Sequence, residues 1–487
     1  MDIGWETKMK NKQTRNHWFV GMYCCPEPGF ASHPNRITDA IYDNLANVGI
    51  NAIYGHYELN NHPDLVFTEL ELAKKHGIAF YPEEPIFAEF TVPQGVQLPK
   101  GVVAYLDRDL AERSALKQAM ITRLSSYLGR SDCPGVFFSD EAGMASFLGI
   151  HEAKEAIQKM FPNKEFHLNH FNYLNNDCGM LYGGYTPKNP VQPWDGELAN
   201  IPENRYHRYD YYFDAFDRYV GNSQLSADLY PYANRLIWGD IPTIHRGLFD
   251  MNAYFANRKQ KSSKPLSYFS YLQAGSFGPD CREMTYAEML LQMNVPMMYG
   301  HEGVVFFPGV WPQEWASEYH PELAPYEHGA GGLLDIDGKP TKVAEDAKRA
   351  LQEVKPMADL LLSCEFLGIA AYGQFVGGFS EKDIAALPWN EAIWRGELPP
   401  YCHYIPQGIT LCGTSSQLLI SSFRSGEAEL HVLLNSSTQV SVQATLSLPV
   451  PSLLLWQGEE REISQGSVSV QLMPGQALLI RPRFESK

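Results

Sequence analysis

An adjacent acidic pair, Asp140 and Glu141, directly follows the apolar run Val136–Ser139. A protonated carboxyl group can donate a proton, and an ionised one can act as a base or nucleophile, so two carboxylates at one site can divide the work of breaking a bond. A third acid, Asp228, lies within a second short run, Gln224–Leu229. Acids at the ends of separate strands are therefore the first candidates for chemistry.

The elements that must position these acids alternate along the chain. The strand-like run His17–Tyr23 precedes the amphipathic segment Ile37–Val48, and the same order recurs with Ile50–Tyr57 and Asp64–His76. Strands that alternate with helices are typical of parallel sheets. No GxGxxG motif follows the first strand, which favours a (β/α)₈ TIM barrel over a dinucleotide-binding sheet. We expect this catalytic barrel to span residues 1–364.

Beyond Cys364 the pattern changes to a two-residue period, which predicts antiparallel strands. We therefore expect residues 365–487 to form an all-β sandwich domain. The segments with this period are Gln417–Ser422, Ala428–Leu434, Val440–Leu446 and Ala477–Ile480.

Candidate binding residues follow the predicted strands, because the site of a parallel barrel lies at the carboxyl ends of its strands. Others lie in a long insertion, Phe171–Pro202. The set combines carboxylates, amides, imidazoles and aromatic rings, which suits a neutral polyhydroxylated ligand. Its members are Asp140, His56, Glu83, Asn169, His170, Tyr182, Trp194, Tyr230, Gln273, His301 and Trp311.

Several stretches resemble barrel glycoside hydrolases. Gly135–Glu141 resembles their fourth strand, where the general acid emerges, and Cys281–Glu288 with Tyr299–Phe307 resembles the end of the barrel in β-galactosidase-like families. Met473–Ala477 is similar to the closing strands of the β-sandwich that such enzymes append. The resemblance covers nearly the whole chain and singles out no one family.

This resemblance implies two carboxylates flanking a glycosidic bond, in a mechanism that we expect to be retaining. By this resemblance Glu141 would be the general acid. Only one of the two adjacent acids can face the barrel axis if the strand is regular. The largest barrel clan has a Glu nucleophile at the end of strand seven, whereas this strand ends in Gln273. Asp228 is the substitute for that nucleophile.

Two other interpretations remain open. Asp140-Glu141 also resembles the pair of substrate-assisted N-acetylhexosaminidases, in which the Asp orients an acetamido group and the Glu is the acid. The absence of an acid at the end of strand seven would equally suit a carbohydrate-binding barrel without catalysis.

Composition and charge exclude several partners. The net charge of −17 argues against nucleic acid, whose binding depends on Lys and Arg. No HExxH, P-loop or GxSxG motif occurs, so we expect no metal or cofactor and a glycoside or oligosaccharide as substrate. Eight cysteines without CxxC spacing, and no apolar stretch of membrane-spanning length, predict a cytoplasmic protein, or a secreted one whose signal has been removed. Oligomeric state is not predicted.

Overall fold

The computed structural model describes residues 16–29, 33–55, 64–91, 105–171, 205–221, 223–232, 242–275, 284–312, 331–373 and 403–483. Contacts divide the chain into two compact units. The first, here the N-terminal unit, comprises Gly21–Ala46 and Ile50–Asp228. The second, the C-terminal unit, comprises Met1–Val20, Asn47–Gly49 and Leu229–Lys487.

The N-terminal unit alternates strands with helices, as its sequence periods predict. Strands β1, β2 and β3 pair in parallel, with Met22 opposite Ile53 and Ile53 opposite Phe80. Strand β4 pairs in parallel with β5, and the bridge His170–Ala227 continues this arrangement to β6. The strands are β1 (Phe19–Tyr23), β2 (Ala52–Tyr54), β3 (Ala79–Tyr81), β4 (Gly135–Ser139), β5 (Glu165–Leu168) and β6 (Gln224–Ala227). The helices are α1 (Asp39–Val48), α2 (Leu65–Lys75), α3 (Leu110–Leu124), α4 (Phe147–Met160) and α5 (Arg205–Tyr219).

Strand β4 is buried along its whole length, which explains its continuous apolar sequence. Phe138 packs on one side against Phe87 and Phe166, with ring centroids 4.5 and 4.7 Å away. Phe137 faces the other side, where its ring lies 5.1 Å from that of Tyr54. Packing on both faces holds the end of β4 in place.

The C-terminal unit contributes the last two strands of the parallel sheet. Strands β7 (Ser267–Gln273) and β8 (Gly303–Phe307) pair in parallel, and helices α6 (Pro242–Lys261), α7 (Tyr286–Met298) and α8 (Lys342–Leu361) alternate with them. Within the units the hydrogen-bonded order is β3-β2-β1 and β8-β7, and β4 and β5 form a pair. This order confirms the predicted α/β barrel.

The remaining strands form two antiparallel sheets, as predicted for a β-sandwich. One has the order β10-β13-β16 and the other β15-β14-β17-β12-β11-β9. Both sheets contribute to a shared apolar core, for example Val442 and Leu446 from β13 with Ile420 from β11. The strands are β9 (Glu365–Tyr372), β10 (Thr410–Thr414), β11 (Leu418–Ser425), β12 (Ala428–Asn435), β13 (Val442–Leu448), β14 (Ser452–Trp456), β15 (Glu459–Ile463), β16 (Gly466–Leu472) and β17 (Ala477–Pro482).

Buried hydrogen bonds join these sheets to the helices of the same unit. Asn294 Nδ2 on α7 donates to Gly475 O at 2.9 Å, and Ser421 Oγ on β11 donates to Met298 O at 2.6 Å. Strand β9 begins at Glu365, one residue after the predicted domain limit. The division into domains 1–364 and 365–487 stays a prediction, because the contacts group β7 and β8 with the sandwich.

In the described part of the chain, no helix has the length and apolar character needed to cross a membrane.

Candidate active site

Three acidic residues lie at the carboxyl ends of β4 and β6. Asp140 and Glu141 follow β4, and Asp228 follows β6 directly. The Asp228 carboxyl group is close enough to Asp140, Glu141 and Asn169 for each of them to shift its pKa. The structure therefore brings together the three acids that the sequence singled out.

A turn in the backbone lets two adjacent acids contribute to one cluster. Strand β4 ends at Ser139, and Glu141 adopts a left-handed conformation with a φ of 44°. Its amide N–H donates to Asn169 O at 3.0 Å, and the Asn169 N–H donates to Ser139 O at 3.1 Å. The rule that only one of two neighbours faces the axis applies to a regular strand, and this one has ended. A non-glycine residue at positive φ is strained, and such strain is concentrated at functional sites.

Asn169, which follows β5, connects the acids to the barrel interior. Its Nδ2 donates to Asp140 Oδ1 at 2.8 Å, and its side chain also lowers the pKa of Asp228. Its Oδ1 accepts a hydrogen bond from Ser226 Oγ on β6 at 2.9 Å. Asn169 and Ser226 are almost completely buried.

The surroundings of Asp140 raise the pKa of its carboxyl group to about 6. Burial within the protein is the main cause, and the hydrogen bonds from Asn169 and from the Glu141 backbone act in the opposite direction. The residue is nevertheless exposed to solvent, as a substrate-binding carboxylate must be.

Asp228 is more deeply buried, with 9% of its surface exposed. Burial, and then the charge of Asp140, raise the pKa of Asp228 to about 7, and the side chains of Glu141 and Asn169 partly oppose this rise. A carboxyl group with a pKa of about 7 can hold a proton close to neutral pH, the condition that general acid catalysis requires.

His170 and Tyr212 lie behind the cluster and support its backbone. The Tyr212 hydroxyl donates to Ala142 O at 2.8 Å and lies 3.1 Å from His170 Nδ1. Burial first, and the nearby Glu141 carboxyl second, raise the pKa of Tyr212. Because the Tyr212 proton is used on Ala142, His170 Nδ1 carries the proton of the second bond. His170 thus helps to hold the turn that carries Glu141.

Strand β3 ends next to β4, since the Phe137 N–H donates to Pro82 O at 3.1 Å. The predicted site residue Glu83 follows Pro82 and is partly buried. Its neighbour Glu84 is turned away into an ion pair, with Arg123 Nε on α3 lying 3.0 Å from both of its carboxylate oxygens. Glu84 therefore anchors α3.

Four predicted residues lie in the C-terminal unit. Gln273 ends β7, but its amide accepts from the Tyr232 N–H and donates to Gly275 O, both at 2.8 Å. Trp311 is fully buried. Tyr230 stacks on Phe307 at the end of β8, with ring centroids 5.1 Å apart. Gln273 and Trp311 thus serve the loop structure, whereas the Tyr230–Phe307 pair presents an aromatic surface.

His301 precedes β8, at the amino end of that strand, where its Nε2 is 3.0 Å from Asn252 O. Burial and the charge of Lys259 lower the pKa of its imidazole well below the usual value, so the ring is neutral. A role of His301 in binding substrate stays a prediction.

The predicted residues His56, Tyr182 and Trp194 lie outside the described residues. Two residues that the sequence argument missed, Ser226 and His167, lie inside β6 and β5. The signal that could have identified them is a polar residue inside a short apolar strand, because burying a polar side chain is costly unless it is hydrogen-bonded. Among the described residues, no group of three or more His, Cys, Asp or Glu side chains is arranged to hold a metal ion.

No protein-family model and no curated protein sequence matches the chain. Among solved structures, a β-galactosidase from the psychrophilic Marinomonas ef1 is 10% identical with a TM-score of 0.48, the match covering 71% of this chain and 62% of that one. An exo-β-1,4-mannosidase from Opitutaceae bacterium strain TAV5 is 13% identical with a TM-score of 0.42, over 70% and 60%. A GH27 β-L-arabinopyranosidase from Geobacillus stearothermophilus is 10% identical with a TM-score of 0.46, over 98% of each chain.

These structures are glycosidases, the class that the sequence resembles. The matched region spans less than two thirds of the β-galactosidase and mannosidase chains. Because all three TM-scores are below one half, we transfer no residue role or activity from these proteins. The order of the strands defines the fold, and the acidic cluster at their carboxyl ends is the feature that bears on function.

Proposed function

We propose that this chain is a glycoside hydrolase in which Glu141 is the general acid/base and Asp228 is its carboxylate partner. The observation that carries the proposal is the cluster of Asp140, Glu141 and Asp228 at the strand carboxyl ends, two of whose members have pKa values raised towards neutrality. Carboxyl pairs that share a proton near pH 7 perform both halves of glycoside hydrolysis, protonation of the leaving oxygen and stabilisation or attack at the anomeric carbon.

The effect of Glu141 on Asp228 supports this division of roles. The Glu141 side chain lowers the pKa of Asp228, which favours the ionised form of Asp228. Glu141 is also the less buried of the two, since its side chain is partly exposed. It is therefore the acid that a leaving group can reach. A retaining reaction needs its two carboxyl groups about 5–5.5 Å apart.

The substrate that fits these surroundings is a neutral glycoside or oligosaccharide. The cluster is bordered by the Asn169 amide, the Tyr212 hydroxyl and the His170 ring, which carry no permanent positive charge. Carboxylates and amides bind sugar hydroxyls, so the acids and Asn169 suit such a ligand.

The test is turnover of a panel of aryl glycosides by E141Q and D228N. We expect kcat/KM to fall by about 10²–10⁴ in each, because each variant removes a group that transfers a proton or stabilises charge in the transition state. A matched control is E69Q, since Glu69 is a fully buried glutamate on α2 outside the cluster.

Wild-type turnover in both E141Q and D228N would reject the assignment. Binding of oligosaccharides without any hydrolysis across the panel would support a carbohydrate-binding barrel instead. The anomer released first, observed by ¹H NMR, tests the retaining mechanism separately from the enzyme class.

One observation favours a second candidate, a substrate-assisted N-acetylhexosaminidase. Asp140 is held by Asn169 and by the backbone next to Glu141, as an acceptor for a substrate acetamido N–H would be. This alternative predicts turnover of 2-acetamido glycosides only, with D140N inactive and D228N largely active. The main proposal predicts that D228N is the inactive variant.

A further inference from the structure

A buried polar chain leads from the interior of β5 and β6 to the two aspartates. His167 Nε2 lies 3.2 Å from Ser226 Oγ, and Ser226 Oγ lies 2.9 Å from Asn169 Oδ1. Asn169 Nδ2 then donates to Asp140 Oδ1 at 2.8 Å, and the Asn169 side chain also lowers the pKa of Asp228. His167 and Ser226 have no exposed surface, and Asn169 has 1%. None of these three residues is itself an acid of the cluster.

The proton on Ser226 has few places to go. Its hydroxyl lies within 3.1 Å of Leu168 O and 2.9 Å of Asn169 Oδ1, and both oxygens can only accept. If the hydroxyl proton pointed to His167 instead, lone pairs of Ser226 would face two acceptor oxygens. The consistent arrangement has His167 Nε2–H donating to Ser226 and the Ser226 proton directed to the two oxygens. Stacking of the His167 ring on Tyr54, with centroids 4.3 Å apart, fixes the plane of the imidazole.

The orientation of the Asn169 amide follows from this. With its oxygen bound to Ser226, the NH₂ group donates to Asp140 and is on the side that lowers the pKa of Asp228. A flipped amide would place its oxygen against two acids. In the first orientation the aspartates face the N–H donors of Asn169, whereas in the flipped orientation they would face its acceptor oxygen.

We propose that Ser226, held as a donor by His167, is a positioning residue that locks the Asn169 amide with its NH₂ group towards Asp140 and Asp228. This role rests on the proposed function, in which one of these aspartates must be ionised. Through Asn169, the Ser226 hydroxyl would favour the charged form of the two aspartates.

Other ionisable groups also face the pair. Glu141 lowers the pKa of Asp228, Asp140 and Asp228 repel each other, and Tyr212 with His170 lies behind Glu141. Burial and like charge both favour protonation of the aspartates, and the Asn169 amide is a neutral donor that opposes them. Loss of its fixed orientation should therefore raise both pKa values further.

The experiment compares S226A with S270A. Ser270 is a fully buried serine on barrel strand β7, and its hydroxyl has no hydrogen-bond partner among the described residues, so S270A controls for deletion of a buried hydroxyl. For S226A we expect the acidic limb of the kcat/KM profile to move up by about one pH unit. At pH values on the acidic side of that limb, we also expect kcat to fall about tenfold while KM changes by less than about twofold. S226T, which keeps the hydroxyl, should restore the wild-type limb.

A second readout does not depend on activity. Because the donor matters only to ionised aspartates, the loss of Tm in S226A should grow between about pH 5 and about pH 8, while that of S270A stays constant. The same pH dependence in S226A and S270A, by both readouts, would overturn the proposal. A protein with no hydrolytic activity whose S226A variant still shows the pH-dependent Tm loss would refute the proposed function and leave the positioning role intact.

Discussion

At the scale of single residues, the cluster is organised by how its acids differ. Asp140 is reached by solvent and bound by an amide, whereas Asp228 is buried close to other acids. Like charges at close range and loss of solvation both favour protonation, and donors oppose it. The result is a set of carboxyl groups that ionise in sequence near neutral pH, so proton transfer does not require a strong acid or base in solution.

Neutralising Asp140 distinguishes the two candidate partners of Glu141. In D140N the negative charge that helps to raise the pKa of Asp228 is absent, so Asp228 should ionise at lower pH. If Asp228 is the partner, the acidic limb of kcat/KM moves to lower pH and substantial turnover remains. If Asp140 is the partner, turnover falls by about 10² or more at every pH. An unchanged profile at full activity would contradict both roles.

At the scale of elements, the site depends on how closely β4 and β5 approach. Gly135 begins β4, and a Cβ atom built there would lie 2.1 Å from Glu165 O on β5. This close approach sets the register in which Val136 lies opposite Phe166 and brings the end of β4 to Asn169. The glycine is thus required by the neighbouring backbone, several residues away from the acids that it helps to place.

G135A should therefore destabilise the protein more than an ordinary glycine replacement. A contact at this distance forces the backbones apart, at a cost of about 2–4 kcal/mol in the free energy of unfolding. G413A is the matched control, because Gly413 also lies in a strand, β10, and no atom lies within 4 Å of its Cβ position. Urea denaturation of both variants measures the difference, and equal stabilities would show that β4 and β5 can separate without cost.

At the scale of the whole molecule, the active site makes stability depend on pH. The pKa of Asp228 is about 7 in the folded protein and 3.8 for an unperturbed carboxyl group. Between these values the folded state binds more protons than the unfolded state, so stability falls as pH rises. The contribution of Asp228 is favourable in acid and is lost above neutral pH, where its charge is buried.

D228N should remove this pH dependence. Asparagine carries no charge, so above about pH 8 the variant should be more stable than the wild type by on the order of 1–2 kcal/mol, and near pH 4 the difference should vanish. Thermal unfolding across this pH range gives the measurement. If D228N were less stable than the wild type at high pH, the buried carboxylate would be stabilising the fold, and the prediction would be wrong.

The sequence by itself determined which segments are strands and which are helices, and at which strand ends the acids lie. The alternation of apolar strands with amphipathic helices, and the later two-residue period, are local patterns that burial imposes on each segment. They sufficed to predict the parallel barrel, the β-sandwich and the three acids that follow β4 and β6.

Only the tertiary structure decided how those acids are connected. The bond from Asn169 to Asp140 joins β5 to β4, and the bond from Ser226 to Asn169 joins residues 57 positions apart. The positive φ of Glu141, the buried Trp311 and the backbone partners of Gln273 likewise depend on neighbours distant in the chain. Desolvation and hydrogen-bond direction arise from packing in three dimensions, and these two effects set which acid carries the proton.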